Sequence, residues 1–206
     1  MRSLLFLAIA GCTEYQIQDP PVVPPAEPPG SNDELGDPPD WNTCQGGWHG
    51  QYVNLEVDDP DVTPPRKAVP PTEPFALTWW DAPSFEQFDA GLDFGENWWP
   101  VDDGLESDPE YFAVHWRGWL RAVSGTDVTF TLGSADDSWV VLNGQILASQ
   151  PGIHKFEPQI YTVFVEAGQY PIEVFYASRA TDPSGFRFRI LSGDVMQCYA
   201  DYSAQE

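Results

Sequence analysis

The chain has 206 residues, of which 42% are hydrophobic, so it can bury one good core, and the length favours one domain with an extension. Its 32 acidic and 9 basic residues give a formal net charge of -23, which argues against nucleic acid and anionic lipid surfaces as partners, because both would repel it. Cations and neutral molecules such as sugars are partners that this charge allows. A need for solubility or a salty medium also explains such a charge.

The N-terminus, residues 1–11, is predicted to be a signal peptide. Its apolar run at 4–10 follows a single arginine and is too short to cross a bilayer as a helix. The tetrapeptide IAGC at 9–12 resembles the lipobox of bacterial lipoproteins, in which the cysteine is acylated and becomes the mature N-terminus. The alternative is an ordinary cleaved signal followed by a chance cysteine. We expect an exported protein, held in the bacterial cell envelope, at the outer membrane or cell surface, by acyl chains on Cys12.

Residues 12–40 are predicted to form a lipid-anchored, acidic linker. The stretch 13–40 contains eight prolines and few apolar side chains, so it cannot bury enough surface to fold, and its proline pairs favour polyproline II. At about 3.1 Å per residue, this disordered stalk would hold a domain up to roughly 85 Å from its anchor.

A folded domain is predicted over 41–200, followed by a short tail at 201–206. Aromatic-rich segments of five to ten residues follow one another between turn residues, without a sustained 3.6-residue period. This pattern predicts an all-β protein, an antiparallel β-sandwich with long loops. The predicted strands are 47–57, 75–80, 111–122, 127–133, 138–142, 145–149, 161–166, 170–177 and 185–191.

The connections between these strands carry their own signals. Asn143 and Gly144 predict a type I′ hairpin turn, in which both central residues need positive φ, and the segment EAGQ at 166–169 predicts a second hairpin. The proline-rich segment 58–74 predicts a long surface loop. Residues 81–110 predict an irregular lid whose aromatic side chains pack on the sandwich, with a short helix near 84–90.

Two cysteines, Cys44 and Cys198, flank the predicted strands. In an oxidising compartment they would pair and join the two ends of the domain, and a loop that long gives the bridge a stabilising effect of roughly 5 kcal/mol in the loop-entropy picture. Two free thiols are the alternative.

The order of motifs along the chain resembles a known family. The segments GWHGQYV, FALTWW, YFAVHWRGWLRAVSGTDVTFTLGSADDSWVVLNGQ and VEAGQYPIEVFYASR are similar to the fourteen-kilodalton protective-antigen domain family, PA-fourteen, over roughly 45–195. The segments FTLGSADDSWVVLNG, PGIH and VFYASRATDPSGFRFRI resemble its fibro-slime branch. Membership implies a β-sandwich that serves as an accessory module in glycosidases, toxins and adhesins, although the fold does not by itself fix a function.

The resemblance also implies a calcium site. In several adhesin members an adjacent pair of Asp residues, joined by a cis peptide, holds calcium that binds glycans, and Asp136 and Asp137 stand at that position. Adjacent side chains in a regular strand point to opposite faces, so the backbone must break between the two for both to hold one ion. Asp pairs also occur at 58–59 and 102–103, so the pair is informative through its position before a strand and not by itself.

The partner loop departs from the calcium-binding pattern. The adhesins carry an Asn just after the strand that corresponds to VFYAS, whereas this chain has Ser178 and then Arg179, and the nearest acid is Asp182. Asp182 is a candidate third calcium ligand. Alternatively, Arg179 forms an ion pair with one of the two Asp residues, with no metal.

Further ligand-binding candidates are Ser178 and Arg179 in the partner loop, His154 within PGIH, and the aromatic residues Trp98, Trp99 and Trp79, whose rings would stack on sugars. Structural roles are the alternative for each, because a lone histidine is usually hydrogen-bonded within the fold and a tryptophan usually packs in a core.

The function predicted from these observations is a surface-tethered lipoprotein module that recognises a glycan or extracellular polysaccharide, with calcium as a cofactor. The alternative is a structural envelope or matrix protein that contacts other proteins without metal or sugar. An enzyme is not expected, because the sequence lacks a recognisable Ser/His/Asp or Cys/His constellation, a zinc-spaced cluster and a phosphate-binding glycine loop. Contact with a membrane is expected through the lipid anchor only.

Overall fold

The computed structural model describes residues 22–23, 37–56, 62, 73–101, 110–180 and 183–199. These residues form two β-sheets packed as a sandwich, as the sequence predicts. The strands are β1 (Val22–Val23), β2 (Trp48–Asn54), β3 (Phe85–Asp89), β4 (Leu92–Glu96), β5 (Tyr111–Ala122), β6 (Thr126–Ser134), β7 (Asp137–Leu142), β8 (Gln145–Gln150), β9 (Glu157–Val165), β10 (Gly168–Arg179), β11 (Gly185–Ser192) and β12 (Val195–Tyr199).

The first sheet has five strands in the order β1-β9-β6-β11-β4, and the second has seven, with the path β3-β2-β5-β10-β7-β8. Pairing is antiparallel throughout except between β1 and β9. The seventh strand of the second sheet, β12, pairs with the last part of β5, beyond the part that pairs with β2. The long strands β5 and β10 pair along their whole length and form the centre of this sheet.

The main core lies between the two sheets. Strand β5 shows why it forms, because Phe112, Val114, Trp116 and Leu120 alternate along it and all four are buried in this core. The alternation therefore predicts both the strand and the face that it buries.

A second core covers the outer face of the seven-stranded sheet. Trp79 and Trp80 pack there on Trp139 and Phe175, which β7 and β10 direct away from the main core. The predicted strand at 75–80 is wrong, because this segment forms a 3-10 helix at Pro74–Ala76 and then turns. Its aromatic residues give it a strand-like composition, but they pack side by side onto a sheet instead of extending one.

The segment 81–110 also differs from its prediction. In place of an irregular lid with a helix, the described residues form β3, which pairs with β2, and β4, which pairs with β11. Tertiary pairing decides the structure here, because the local composition has neither a strong helical period nor many β-branched residues. The aromatic residues Phe94 and Trp98 pack against the main core. Residues 102–109 lie outside the described part of the chain.

One predicted turn is confirmed and the other is wrong. Asn143 and Gly144 have φ values of 51° and 74°, as a type I′ turn between β7 and β8 requires. The EAGQ segment instead joins β9 in one sheet to β10 in the other, so it is a crossover and not a hairpin. Loop length alone does not distinguish these two cases.

The two ends of the described chain are both attached to the sandwich. Strand β1, within the predicted linker, pairs with Phe164 and Val165 of β9, and Val23 is buried in the main core. The predicted disulfide is confirmed between Cys44 and Cys198, with a Cα–Cα distance of 5.7 Å. The signal region 1–11, Cys12 and the tail 201–206 lie outside the described residues.

No helix within the described ranges is long and apolar enough to cross a membrane.

Candidate functional site

Four connecting segments meet at one end of the sandwich, which we call the loop end, and their described residues are 97–101, 134–137, 150–157, and 178–180 with 183–185. Backbone hydrogen bonds join them, because the N–H of Ala135 donates to the carbonyl of Gly185 at 2.8 Å and the N–H of Asp136 donates to that of His154 at 3.1 Å. Asn97 donates its N–H to the carbonyl of Ser184 at 2.7 Å. The loop end is therefore fixed by main-chain contacts before any ligand is considered.

Asp136 interrupts the backbone between β6 and β7. Its φ of 71° lies in the left-handed region, which Asp tolerates better than most residues do, and β7 begins at Asp137. The break that the sequence argument requires between the two Asp residues is thus present. It lets both carboxylates turn toward the neighbouring loops and toward Arg179 at the end of β10.

All four oxygens of the Asp136–Asp137 pair accept hydrogen bonds. The Asp136 carboxylate accepts one from the backbone N–H of Arg179 at 2.7 Å and one from the backbone N–H of His154 at 3.1 Å. The Asp137 carboxylate accepts one from the backbone N–H of Gly152 and one from Nε of Arg179 at 2.6 Å. The residues are 4% and 0% exposed, so both carboxylates are satisfied by the protein and not by water.

Arg179 connects this pair to the second core. It is 2% exposed, its Nη1 lies 3.3 Å from the carbonyl oxygen of Val62, and its guanidinium carbon lies 4.9 Å from the ring centre of Trp79. The planar guanidinium therefore contacts a carboxylate, a carbonyl and an aromatic face at once, which is the combination that arginine supports and lysine does not. The structure thus contains an ion pair between Arg179 and one member of the Asp pair, Asp137.

Burial raises the pKa of the Asp136 carboxyl to about 6. The backbone N–H of Arg179 opposes this effect, and the negative charge of Asp137 adds to it. Asp136 is thus an acid whose charged form is costly in the folded state.

A buried polar network, absent from the sequence prediction, supports the site. The hydroxyl of Ser134 donates to the carbonyl of Asp136 at 2.7 Å and lies 2.8 Å from the hydroxyl of Ser138, while Gln150 accepts the backbone N–H of Ser134 at 2.9 Å. Gly152, with a φ of 98°, supplies one of the N–H donors. The Pro-Gly dipeptide at 151–152 is a sequence signal for such a turn, whereas nothing in the sequence marks the serines or the glutamine.

Three of the predicted ligand-binding residues contact other parts of the protein. Ser178 is buried, and the ring of Trp98 stacks on Phe94 with 3.9 Å between the ring centres, so both are structural. The ring nitrogens of His154 lie 2.9 Å from the carbonyl of Lys155 and 3.3 Å from that of Gln150, which gives the histidine a role in shaping the loop.

Two further tryptophans also differ from each other. Trp79 is only 3% exposed, because it lies inside the second core, and it cannot present its ring to a sugar. Trp99 is 39% exposed and is the predicted aromatic residue at the loop end that does face solvent.

The donor set at the acid pair does not fit a calcium ion. Calcium needs six to eight oxygens, but the carboxylate oxygens here are engaged by N–H donors, and a guanidinium contacts Asp137. Among the residues described, no group of three or more His, Cys, Asp or Glu side chains could hold a metal. Asp182, the proposed third ligand, lies outside the described residues.

Neither a protein-family profile nor a curated protein sequence matches this chain. Among solved structures it is similar to the PA14 domain of the MpAFP antifreeze protein, with 14% identity, a TM-score of 0.51, and coverage of 81% of this chain and 97% of that one. It is also similar to an anti-sigma factor domain-containing protein, with 19% identity and a TM-score of 0.50 over 76% of this chain and 46% of that one. The chain thus has a PA14-like fold.

A weaker likeness is to the Epithelial Adhesin 9 A domain from Candida glabrata in complex with Galb1-3GlcNAc. It has 12% identity and a TM-score of 0.49, and covers 82% of this chain and 97% of that one. Other matching chains are much longer, and this chain spans only 17% of one of them.

Proposed function

We propose that this protein is an exported, lipid-tethered binding module that recognises extracellular carbohydrate through its loop end. The observation that carries the proposal is the exposure of Trp99 beside Trp98, which is locked into the aromatic core. A neutral sugar ring has apolar faces and polar edges, so an aromatic ring held on a rigid support is a suitable contact for it.

Three properties of the chain support this proposal. The net charge of -23 disfavours polyanionic partners but leaves neutral glycans open. The disulfide between Cys44 and Cys198 is typical of a protein folded outside the cytosol, in agreement with an N-terminal signal and an anchor at Cys12. The polar groups of the loop end hold the loops together, which gives a preorganised surface and not a set of catalytic groups. Calcium dependence is not part of the proposal, because the described donors do not fit the ion.

A glycan array probed with the full chain carrying Cys12→Ser tests the proposal. We expect binding to neutral glycans that chelator does not affect, and a loss of about tenfold or more in affinity in Trp99→Ala. Leu191→Ala is the matched control, since Leu191 is 50% exposed on β11, several residues from the loop end, and should leave binding unchanged. A blank array would overturn the function, while full binding by Trp99→Ala would overturn the site.

The lipid tether has a separate test. Cells fed a labelled fatty acid should transfer the label to the wild-type chain and not to Cys12→Ser. A labelled Cys12→Ser variant, or an unlabelled wild-type protein in the soluble fraction, would contradict the anchor.

A second candidate function, contact with another protein in the envelope, is favoured by β3. Among the described strands it lies at the edge of the seven-stranded sheet, with Phe85 and Phe88 exposed along it, and such edges pair readily with other chains. Crosslinking in envelope extracts that recovers one defined partner, and that Phe88→Lys abolishes, would support this candidate. An unchanged crosslink in Phe88→Lys would remove β3 as its basis.

A further inference from the structure

We propose that the guanidinium of Arg179 takes the place of a divalent cation at the Asp136–Asp137 pair, so that the pair is complete without metal and is a latent cation site when Arg179 is removed. Two adjacent carboxylates with almost no exposure require a neighbouring positive charge, because burying uncompensated charges is costly. Arg179 supplies that charge from the end of β10, two residues beyond Ala177, which pairs with Asp137 at the start of β7.

The hydrogen bonds show how the guanidinium of Arg179 serves in place of a cation. Arg179 contributes to both members of the pair, through its backbone N–H to Asp136 at 2.7 Å and through Nε to Asp137 at 2.6 Å. The remaining two carboxylate oxygens receive the backbone N–H groups of His154 and Gly152. A cation at this position would lie close to the positive guanidinium and share every carboxylate oxygen with an N–H donor, so the folded protein disfavours one.

Arg179 also makes contacts that a metal ion could not make. Its Nη1 reaches the carbonyl of Val62, and its plane lies over the ring of Trp79, both of which belong to the second core. A spherical ion prefers oxygen ligands and has no planar face to stack on an indole ring. The arginine therefore joins the loop end to the segment that covers the outer face of the seven-stranded sheet.

Thermal unfolding of the full chain with its disulfide intact, with calcium at about 5 mM or with chelator, tests the inference, because weak extracellular calcium modules are saturated at that concentration. For wild type we expect a Tm difference below about 1 °C between the two conditions. For Arg179→Asn we expect a lower Tm in chelator and a rise of about 4 °C or more with calcium, because the change removes the positive charge and adds an amide oxygen.

Arg187→Asn is the matched control. Arg187 makes the same Nε contact with a carboxylate, Asp93, at 2.7 Å, but its side chain is 36% exposed, so its loss should create no response to calcium. A calcium-dependent Tm rise in wild type would overturn the proposal, as would a folded Arg179→Asn that ignores calcium.

A second measurement on wild type keeps the test decisive where Arg179→Asn fails to fold. Terbium substitutes for calcium and emits when a nearby indole transfers energy to it, and Trp139 lies two residues from Asp137. We expect no saturable emission from the wild-type chain. Saturable emission that excess calcium removes would contradict the inference.

Discussion

The two ends of the seven-stranded sheet are held together by different interactions, an ionic cluster at one and a disulfide at the other. Strand β5 runs between them, pairing with Arg179 at Tyr111 and with Cys198 at Trp119. At the loop end a buried arginine and two carboxylates join the strands to the loops, whereas at the other end a disulfide joins Cys44 to Cys198. The disulfide acts mainly on the unfolded chain, by restricting it, while the ionic cluster acts only in the folded state.

The largest effect on the free energy of unfolding is expected from removing the disulfide. The double variant Cys44→Ser and Cys198→Ser should lose about 5 kcal/mol of unfolding free energy, because the bond closes a loop of 154 residues. Urea unfolding of the variant and of wild type with its disulfide intact measures this loss, and wild type in reductant should agree with the variant. A loss below about 1 kcal/mol would mean that strain in the folded state cancels the restriction.

At the loop end, Asp137→Asn should cost about 3 to 5 kcal/mol, because it leaves the guanidinium of Arg179 buried without its counter-charge. The matched variant is Asp93→Asn, whose partner Arg187 is about one-third exposed, and it should cost below about 1 kcal/mol. Urea unfolding with the disulfide intact compares the two variants. Equal costs would show that burial does not distinguish these ion pairs.

The pH dependence of stability separates the contributions of the two ends, because the disulfide does not titrate whereas Asp136 does. The pKa of Asp136 is about 6 in the folded state and about 4 in an unfolded chain, so protonation favours folding. Its stabilising contribution is complete below about pH 4 and disappears as the pH rises through about 6.

Asp136→Asn cannot titrate, so it isolates this effect from the other acids. Relative to this variant, wild type should lose up to about 3 kcal/mol between about pH 4 and pH 6, with little further change above. Urea unfolding in a pH series measures the difference. A constant difference across the range would show that the pKa of Asp136 is the same in both states.

The smallest effect concerns the hairpin turn of β7 and β8, at the disulfide end. Gly144 has a φ of 74° and open space around its Cα, so Gly144→Ala should cost about 1 kcal/mol through backbone strain alone. Gly91→Ala is the control, since Gly91 also has open space but an ordinary φ, and it should be neutral or slightly stabilising. Equal changes in the two variants, measured by thermal unfolding, would exclude strain as the cause.

Much of the fold was predictable because alternation and turn residues are local signals, and because the sequence shows Cys44 and Cys198 on either side of the predicted strands. The strand at Tyr111–Ala122, the Asn143-Gly144 turn and the disulfide all follow from such signals. The strands β3 and β4 were missed because their pairing partners, β2 and β11, lie far along the chain and supply what the local sequence lacks.

The candidate site was predictable in part. The position of the acid pair before a strand identified the cluster, and the ion pair with Arg179 stood among the alternatives. The sequence does not indicate which Asp the guanidinium contacts, nor that Val62 and Trp79 lie beside it, because those contacts join residues far apart in the chain. Trp98 and Trp99 are adjacent in sequence, and the packing of Trp98 on Phe94 and Trp116 distinguishes the partly buried ring from the exposed one.

The pairing of β1 with β9 has a mechanical consequence for the proposed tether. With Cys12 fixed in a membrane, only the nine residues 13–21 separate the anchor from the sandwich, which is roughly 28 Å in polyproline II instead of roughly 85 Å. A pulling force would first act on the two residue pairs that join β1 to β9. Their release would lengthen the tether while the disulfide still keeps the domain closed.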